Sequence, residues 1–155
     1  MNKKGVTFIE LIVTISIFSA LTGMGMGSYL SWQRQSKLID NSDIIKSALV
    51  RAQQLATAAA SSTDWGVHLE TDSYVLFSGS FYDANNADNV RWELSGVEIY
   101  EPNLSFDDGA GTRTADVVFD KFTGLTSNVG VINIVLPSNP SVGREIEVFA
   151  SGKID

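Results

Sequence analysis

A single carboxylate, Glu10, stands at the head of an apolar run that carries no further charge until Arg34. An ionisable side chain within a bilayer costs a few kcal/mol or more, so such a residue is expected to have a partner and a task. Residues 11–30 match the ~20 that span a hydrocarbon core. Lys3 and Lys4 precede them, which by the positive-inside rule keeps the N-terminus cytoplasmic and everything after Leu30 outside. Tyr29 and Trp32 mark the outer end, where amphipathic aromatics favour the headgroup zone.

Two other readings of this segment compete. A secretory signal needs small residues at a cleavage site. Phe18-Ser19-Ala20 has a phenylalanine where a small residue is wanted, and Gly25-Met26-Gly27 fits better but leaves Glu10 at the start of the apolar core. A plain signal anchor accounts for the length and leaves Glu10 without a role.

Beyond the apolar run the helical pattern continues. Leu38, Ile45, Leu49, Ala52, Ala56 and Ala59 recur at helical spacing, and Lys37, Asp40, Asp43, Lys46, Arg51 and Gln54 occupy other faces. One helix over 6–60 is therefore expected, with a membrane and assembly half at 6–30 and an amphipathic half at 31–60. At ~1.5 Å per residue it would reach roughly 80 Å, far beyond a bilayer, so the outer half must pack on something. Between the halves lie Gly23, Gly25 and Gly27. They either form a weak point, at about 1 kcal/mol each relative to alanine, or let helices approach closely.

After Ala60 the pattern changes to short β-rich runs at 65–70, 73–78, 90–94, 97–100, 115–119, 131–136 and 144–150. Asp107-Asp108-Gly109-Ala110-Gly111 and Pro137-Ser138-Asn139-Pro140 read as turns between them. The fold class is α+β: a long N-terminal helix packed against a C-terminal antiparallel β-rich head, 61–155, of two small sheets.

The chain has no cysteine, which removes disulfides, thiol catalysis and thiolate metal sites. Its 11 basic and 18 acidic residues become 9 and 18 once Lys3 and Lys4 are set aside. That balance opposes nucleic-acid binding, which relies on Lys and Arg neutralising phosphates. His68 is the only histidine, and no Gly-x-Ser-x-Gly elbow accompanies it. No nucleophile–base pair can be assigned, and the chain is read as non-enzymatic with no catalytic residue. Asp83-Ala84-Asn85-Asn86-Ala87-Asp88-Asn89 and Asp107-Asp108-Gly109 offer oxygen ligands for calcium. Neither has the full EF-hand spacing, and ordinary turns use the same residues, so neither a metal site nor a cofactor is assigned.

The stretch Lys3-Lys4-Gly5-Val6-Thr7-Phe8-Ile9-Glu10 resembles the class III signal of type IV prepilins and pseudopilins. That resemblance implies a leader at 1–5, cleavage between Gly5 and Val6 by a prepilin peptidase, and N-methylation of Val6. It assigns assembly to Glu10, Thr7 and Phe8, with Glu10 neutralising the Val6 amine of a neighbouring subunit. Valine stands after the glycine where that family most often has phenylalanine.

The head is similar to that of GspH/FimT-type minor pseudopilins. The motifs are Ala56-Thr57-Ala58-Ala59-Ala60, Trp65-Gly66-Val67, Ser73-Tyr74-Val75-Leu76-Phe77, Phe119-Asp120-Lys121-Phe122-Thr123-Gly124 and an arginine strand closing at Gly152. The implied function is that of a structural minor subunit of a type IV pilus or type II secretion pseudopilus. Its partners would be other pilin subunits, the peptidase and the inner-membrane assembly platform. The lack of a C-terminal disulfide, which many major pilins have, points the same way. The protein would sit in the cytoplasmic membrane with its head outside, then enter a filament. The alternative is a tip or surface binding module on the same helix, recognising a ligand or DNA through residues 79–89, with Phe81 and Tyr82 exposed.

Overall fold

The computed structural model describes residues 5–102, 105–109 and 111–155, without the side chains of 24–26 and 28. The chain divides into two compact units, 1–36 and 37–155. Helix α1, Phe8–Thr57, contributes to both and runs through the glycine-rich stretch. In the first unit it carries exposed apolar side chains, among them Phe8, Ile9, Leu11, Ile15, Phe18 and Leu21.

The second unit holds the core. Leu38, Ile45, Leu49, Ala52 and Ala56 of α1 are fully buried, the stripe that the helical spacing predicts. Ala59 is only half-buried, because the chain has already left the helix: its φ is 50°, in the left-handed region. Alanine favours helix, yet α1 stops at Thr57 rather than near Ala60. Tertiary bonds override the propensity there, since the Trp65 indole N–H donates to the Ala60 carbonyl at 2.9 Å and the Phe122 N–H to the Ala56 carbonyl at 3.0 Å.

Among the described residues nine strands follow: β1 Trp65–Leu69, β2 Ser73–Ser78, β3 Val90–Glu93, β4 Glu98–Tyr100, β5 Phe106–Asp107, β6 Arg113–Thr114, β7 Asp116–Phe119, β8 Val129–Leu136 and β9 Asn139–Val148. The first sheet has the order β3-β2-β1-β7, antiparallel throughout. Val67, Leu69, Tyr74, Leu76, Val117 and Phe119 turn one of its faces to the core cluster around α1.

The second sheet is built on β8. Strand β9 pairs with 130–136, while β4 pairs with 133–135 and β5 with 129–130. A strand has two edges, so β4 and β5 share, end to end, the edge opposite β9, and β6 extends β5. Ile99, Phe106, Ile132, Ile134 and Ile146 fill the inner face.

The seven expected strands are present, and two-residue β5 and β6 are additional. Strand β9 also begins earlier than expected, taking in Pro140 where a turn was anticipated. Proline is tolerated on an edge strand. The β8–β9 register also jumps there, from Val135↔Gly143 to Leu136↔Asn139, leaving Pro140 outside the ladder.

The outer face of the first sheet has a small core of its own. Phe77 lies there, 1% exposed, opposite Gly66. A Cβ at Gly66 would lie 2.5 Å from the Phe77 ring and 2.6 Å from the Val117 carbonyl oxygen. The Trp65-Gly66 pair is thus explained structurally: the indole ties down the chain after α1, and the glycine makes room for a ring.

Candidate processing and assembly site

Residues 5–7 are non-helical and α1 begins at Phe8, two residues later than expected. The start is set by Thr7, whose hydroxyl accepts the Glu10 N–H at 3.3 Å, while its carbonyl accepts the Leu11 N–H at 3.2 Å. Thr7 is the N-cap, and Thr7-x-x-Glu10 has the spacing of a capping box. Glu10 places a carboxylate in the first turn, where the partial positive charge of the helix N-terminus favours it. The capping pattern is readable in the sequence and marks the helix start there.

Val6, Thr7, Phe8, Ile9 and Glu10 are all exposed. A Cβ at Gly5 would meet nothing within 4 Å, so packing within the fold does not explain that glycine. Met1–Lys4, most of the expected leader, lie outside the described residues. Among the described residues no helix is long and apolar enough to cross a membrane. The apolar stretch with described side chains, 8–23, is shorter than the ~20 residues a span needs.

In the head, β1 and β7 bring His68 opposite Asp116, and His68 Nδ1 is hydrogen-bonded to Asp116 Oδ1. Tyr82 stacks on the His68 ring, with centroids 3.9 Å apart, and its own ring lies 5.6 Å from that of Phe77. The two aromatics of the loop at 79–89 therefore part company. Tyr82 closes the outer face of the first sheet, and Phe81 is 73% exposed.

The two oxygen-rich stretches are turns. Asp83 Oδ1 accepts the Asn85 N–H at 2.9 Å, and Asn86 Oδ1 the Asp88 N–H at 3.0 Å. Asp107 Oδ1 accepts the Gly109 N–H at 2.9 Å. Among the described residues no group of three or more His, Asp or Glu side chains is placed to hold a metal ion.

Arg91 of β3 pairs with Glu93 of the same strand at 3.0 Å, donates to Glu70 of the β1–β2 turn at 2.9 Å, and reaches β2 by donating to the Ser73 hydroxyl at 2.7 Å. Hydrogen bonds to Glu93 and then Glu70 hold its guanidinium charged to higher pH than usual.

The start of α1 thus combines a helix cap, a lone carboxylate in the first turn and an exposed apolar helix behind it. Residues 1–26 match the family described as the prokaryotic N-terminal methylation motif. Among solved structures, the type IV minor pilin FimU of Pseudomonas aeruginosa is similar at 12% identity and a TM-score of 0.42, over 71% of this chain and 90% of that one. No curated protein matches the chain.

Proposed function

We propose that the protein is a structural minor pilin or pseudopilin subunit, cut between Gly5 and Val6, methylated on the new amine, and assembled into a filament through α1. The observation that carries this reading is the exposed, capped start of α1. Thr7 fixes where the helix begins, Glu10 is the one charged side chain near it among the described residues, and exposed apolar residues continue along 8–23. An apolar surface of that extent calls for lipid or protein around it. The sequence continues without charge to Gln33, which supports a single span over 6–30 with the head outside the cytoplasmic membrane.

In this reading Glu10 faces the Val6 amine of the next subunit, where opposite charges in a low-dielectric setting attract strongly. Thr7 and Phe8 shape the surface around that pair. The partners are other pilin subunits, the prepilin peptidase and the assembly platform, and the role is structural rather than catalytic. Intact mass and N-terminal sequencing of protein from its own membranes tests the reading. A chain beginning at N-methylated Val6 is expected, and one beginning at Met1 or beyond Gly27 overturns it.

The exposure of Phe81 favours a second reading, a binding module whose loop at 79–89 meets a ligand. Phe81→Ala would then abolish ligand or surface binding while leaving filament incorporation intact.

A further inference from the structure

The second sheet turns one face to the core and the other outwards. Ile99, Ile132, Ile134 and Ile146 lie in the core cluster with the α1 stripe, so alternation turns Tyr100, Asn133 and Glu145 to the outer face. Asn133 is in register with Tyr100 of β4 on one side and Glu145 of β9 on the other. A phenol, an amide and a carboxylate therefore form a row across three strands, about 10 Å from end to end. Tyr100 is 51% exposed, and Glu145 is exposed as well.

Two hollows flank this row. On the Val131 side of Asn133, one of about 270 Å³ is lined by Tyr100, Glu101, Ser105, Arg113, Val131 and Asn133. On the Val135 side, another of about 610 Å³ shares Tyr100 and Asn133 and reaches Ser141 and Glu145. The row is the saddle of one groove across the outer face.

Ser105 points to a ligand. Phe106 is fully buried in the core, so alternation turns the preceding Ser105 to the outer face and into the smaller hollow. Ser105 is nevertheless only 4% exposed, and its hydroxyl has no hydrogen-bond partner among the described residues. Its backbone is held in place, the N–H donating to the Pro102 carbonyl at 3.1 Å and the carbonyl accepting the Val131 N–H at 3.0 Å. A buried hydroxyl left unpaired forfeits a hydrogen bond, which an entering ligand hydroxyl would restore.

The other groups select the ligand. Glu101 and Glu145 take no part in the ion pairs among the described residues, and their charge repels phosphate and sialate. Amide and carboxylate oxygens suit hydroxyl donors, and charge strengthens the bonds to a carboxylate. In the smaller hollow the apolar side chains are the Tyr100 ring and Val131, too little for the apolar centre of a protein interface but enough for the C–H face of a sugar.

We propose that this groove binds a neutral oligosaccharide. The Tyr100 ring lies against the C–H face of one sugar, Asn133 and Glu145 bond hydroxyls of the next, and a further hydroxyl reaches Ser105 in the smaller hollow. The inference adds a ligand to the structural reading without resting on it, and it uses the second sheet rather than the loop at 79–89.

The test is an array of neutral and sialylated glycans probed with the purified full chain in detergent. Binding to neutral glycans is expected; none at all, or binding to sialylated glycans alone, overturns the proposal. On the strongest neutral glycan, titration calorimetry should show affinity about tenfold weaker for Tyr100→Ala and about fivefold weaker for Ser105→Ala. Unchanged affinity in Tyr100→Ala overturns the site, and unchanged affinity in Ser105→Ala overturns the reach into the smaller hollow. Ser105→Ala should also leave the thermal midpoint at or above that of the parent, because the lost hydroxyl bonds nothing in the fold. A lower midpoint overturns its assignment to the ligand. If Tyr100→Ala itself unfolds the head, the exposed Glu145→Gln decides in its place: weaker binding at an unchanged midpoint supports the site, and unchanged binding overturns it.

Discussion

The side-chain amide of Gln53 donates to the carbonyl of Gly152 at 2.9 Å, and to that of Gly124 at 3.0 Å. One helical residue thus ties the β7–β8 loop and the C-terminal turn to α1. A Cβ at Gly152 would collide with the Gln53 amide and the Gly124 carbonyl. Gln53→Ala leaves two carbonyls without this donor and is expected to cost about 2 kcal/mol. A lower urea midpoint for the full chain in detergent checks it, and Gln53→Glu, which keeps the volume but loses the donors, should be no better.

Gly66→Ala should destabilise the head by about 1–3 kcal/mol through overpacking, because the new methyl meets both Phe77 and the Val117 carbonyl. Shortening the ring in a Gly66→Ala, Phe77→Leu pair relieves only the first clash. Partial recovery of the thermal midpoint is the expected result, and full recovery would show that the carbonyl contact is harmless.

At the other end of the chain, Thr7→Ala removes the hydroxyl that caps α1 and should cost about 1 kcal/mol of local helix stability. Hydrogen exchange at the Glu10 and Leu11 amides, the two bonded to Thr7, should quicken about fivefold in micelles by this cost, and Thr7→Ser should restore protection. Glu10→Ala is a different lesion. Cleavage at Gly5 should continue while filament incorporation falls, as read by mass and by shearing of surface filaments.

Burial pushes the Tyr74 hydroxyl above its ordinary value of 10.0. The folded state then binds that proton more tightly than the unfolded chain does. The associated stability is whole below pH about 10 and is lost as pH rises through the higher folded value. Tyr74→Phe should flatten this alkaline limb of a denaturation-midpoint profile, and a limb of unchanged slope would count against Tyr74 as its source.

The stripe from Leu38 to Ala56 is legible in the sequence because a helix repeats every 3.6 residues and one face is wholly buried. The seven longer strands are legible as short β-rich runs between turn signals, several of them with the alternation of a half-buried pleat, while β2 is buried on both faces. Strands β5 and β6 are invisible to such reasoning. Two residues have no period, and their strand character comes from pairing with β8 and each other. The capping pair Thr7 and Glu10 stands openly at its spacing. The left-handed φ of Phe122 does not, since it is imposed by a hydrogen bond to Ala56, far away in sequence. Nor does the sequence tell Phe81 from Tyr82. Their opposite fates are decided by His68 and Phe77, which only the folded sheet brings near.

The central position of β8 bears on the order in which the protein is made. Synthesis delivers the apolar stripe of α1 first, and the strand that both edges of the second sheet require only at 129–136. Strands β4 and β5 wait for it from one side, and β9 follows it on the other. The second sheet therefore has no half-built form. A nascent chain can lay its stripe on the first sheet once β7 is made, yet β4 has no partner strand until 129–136 emerge, which makes the stretch of translation between β4 and β8 the interval in which a holding chaperone matters most.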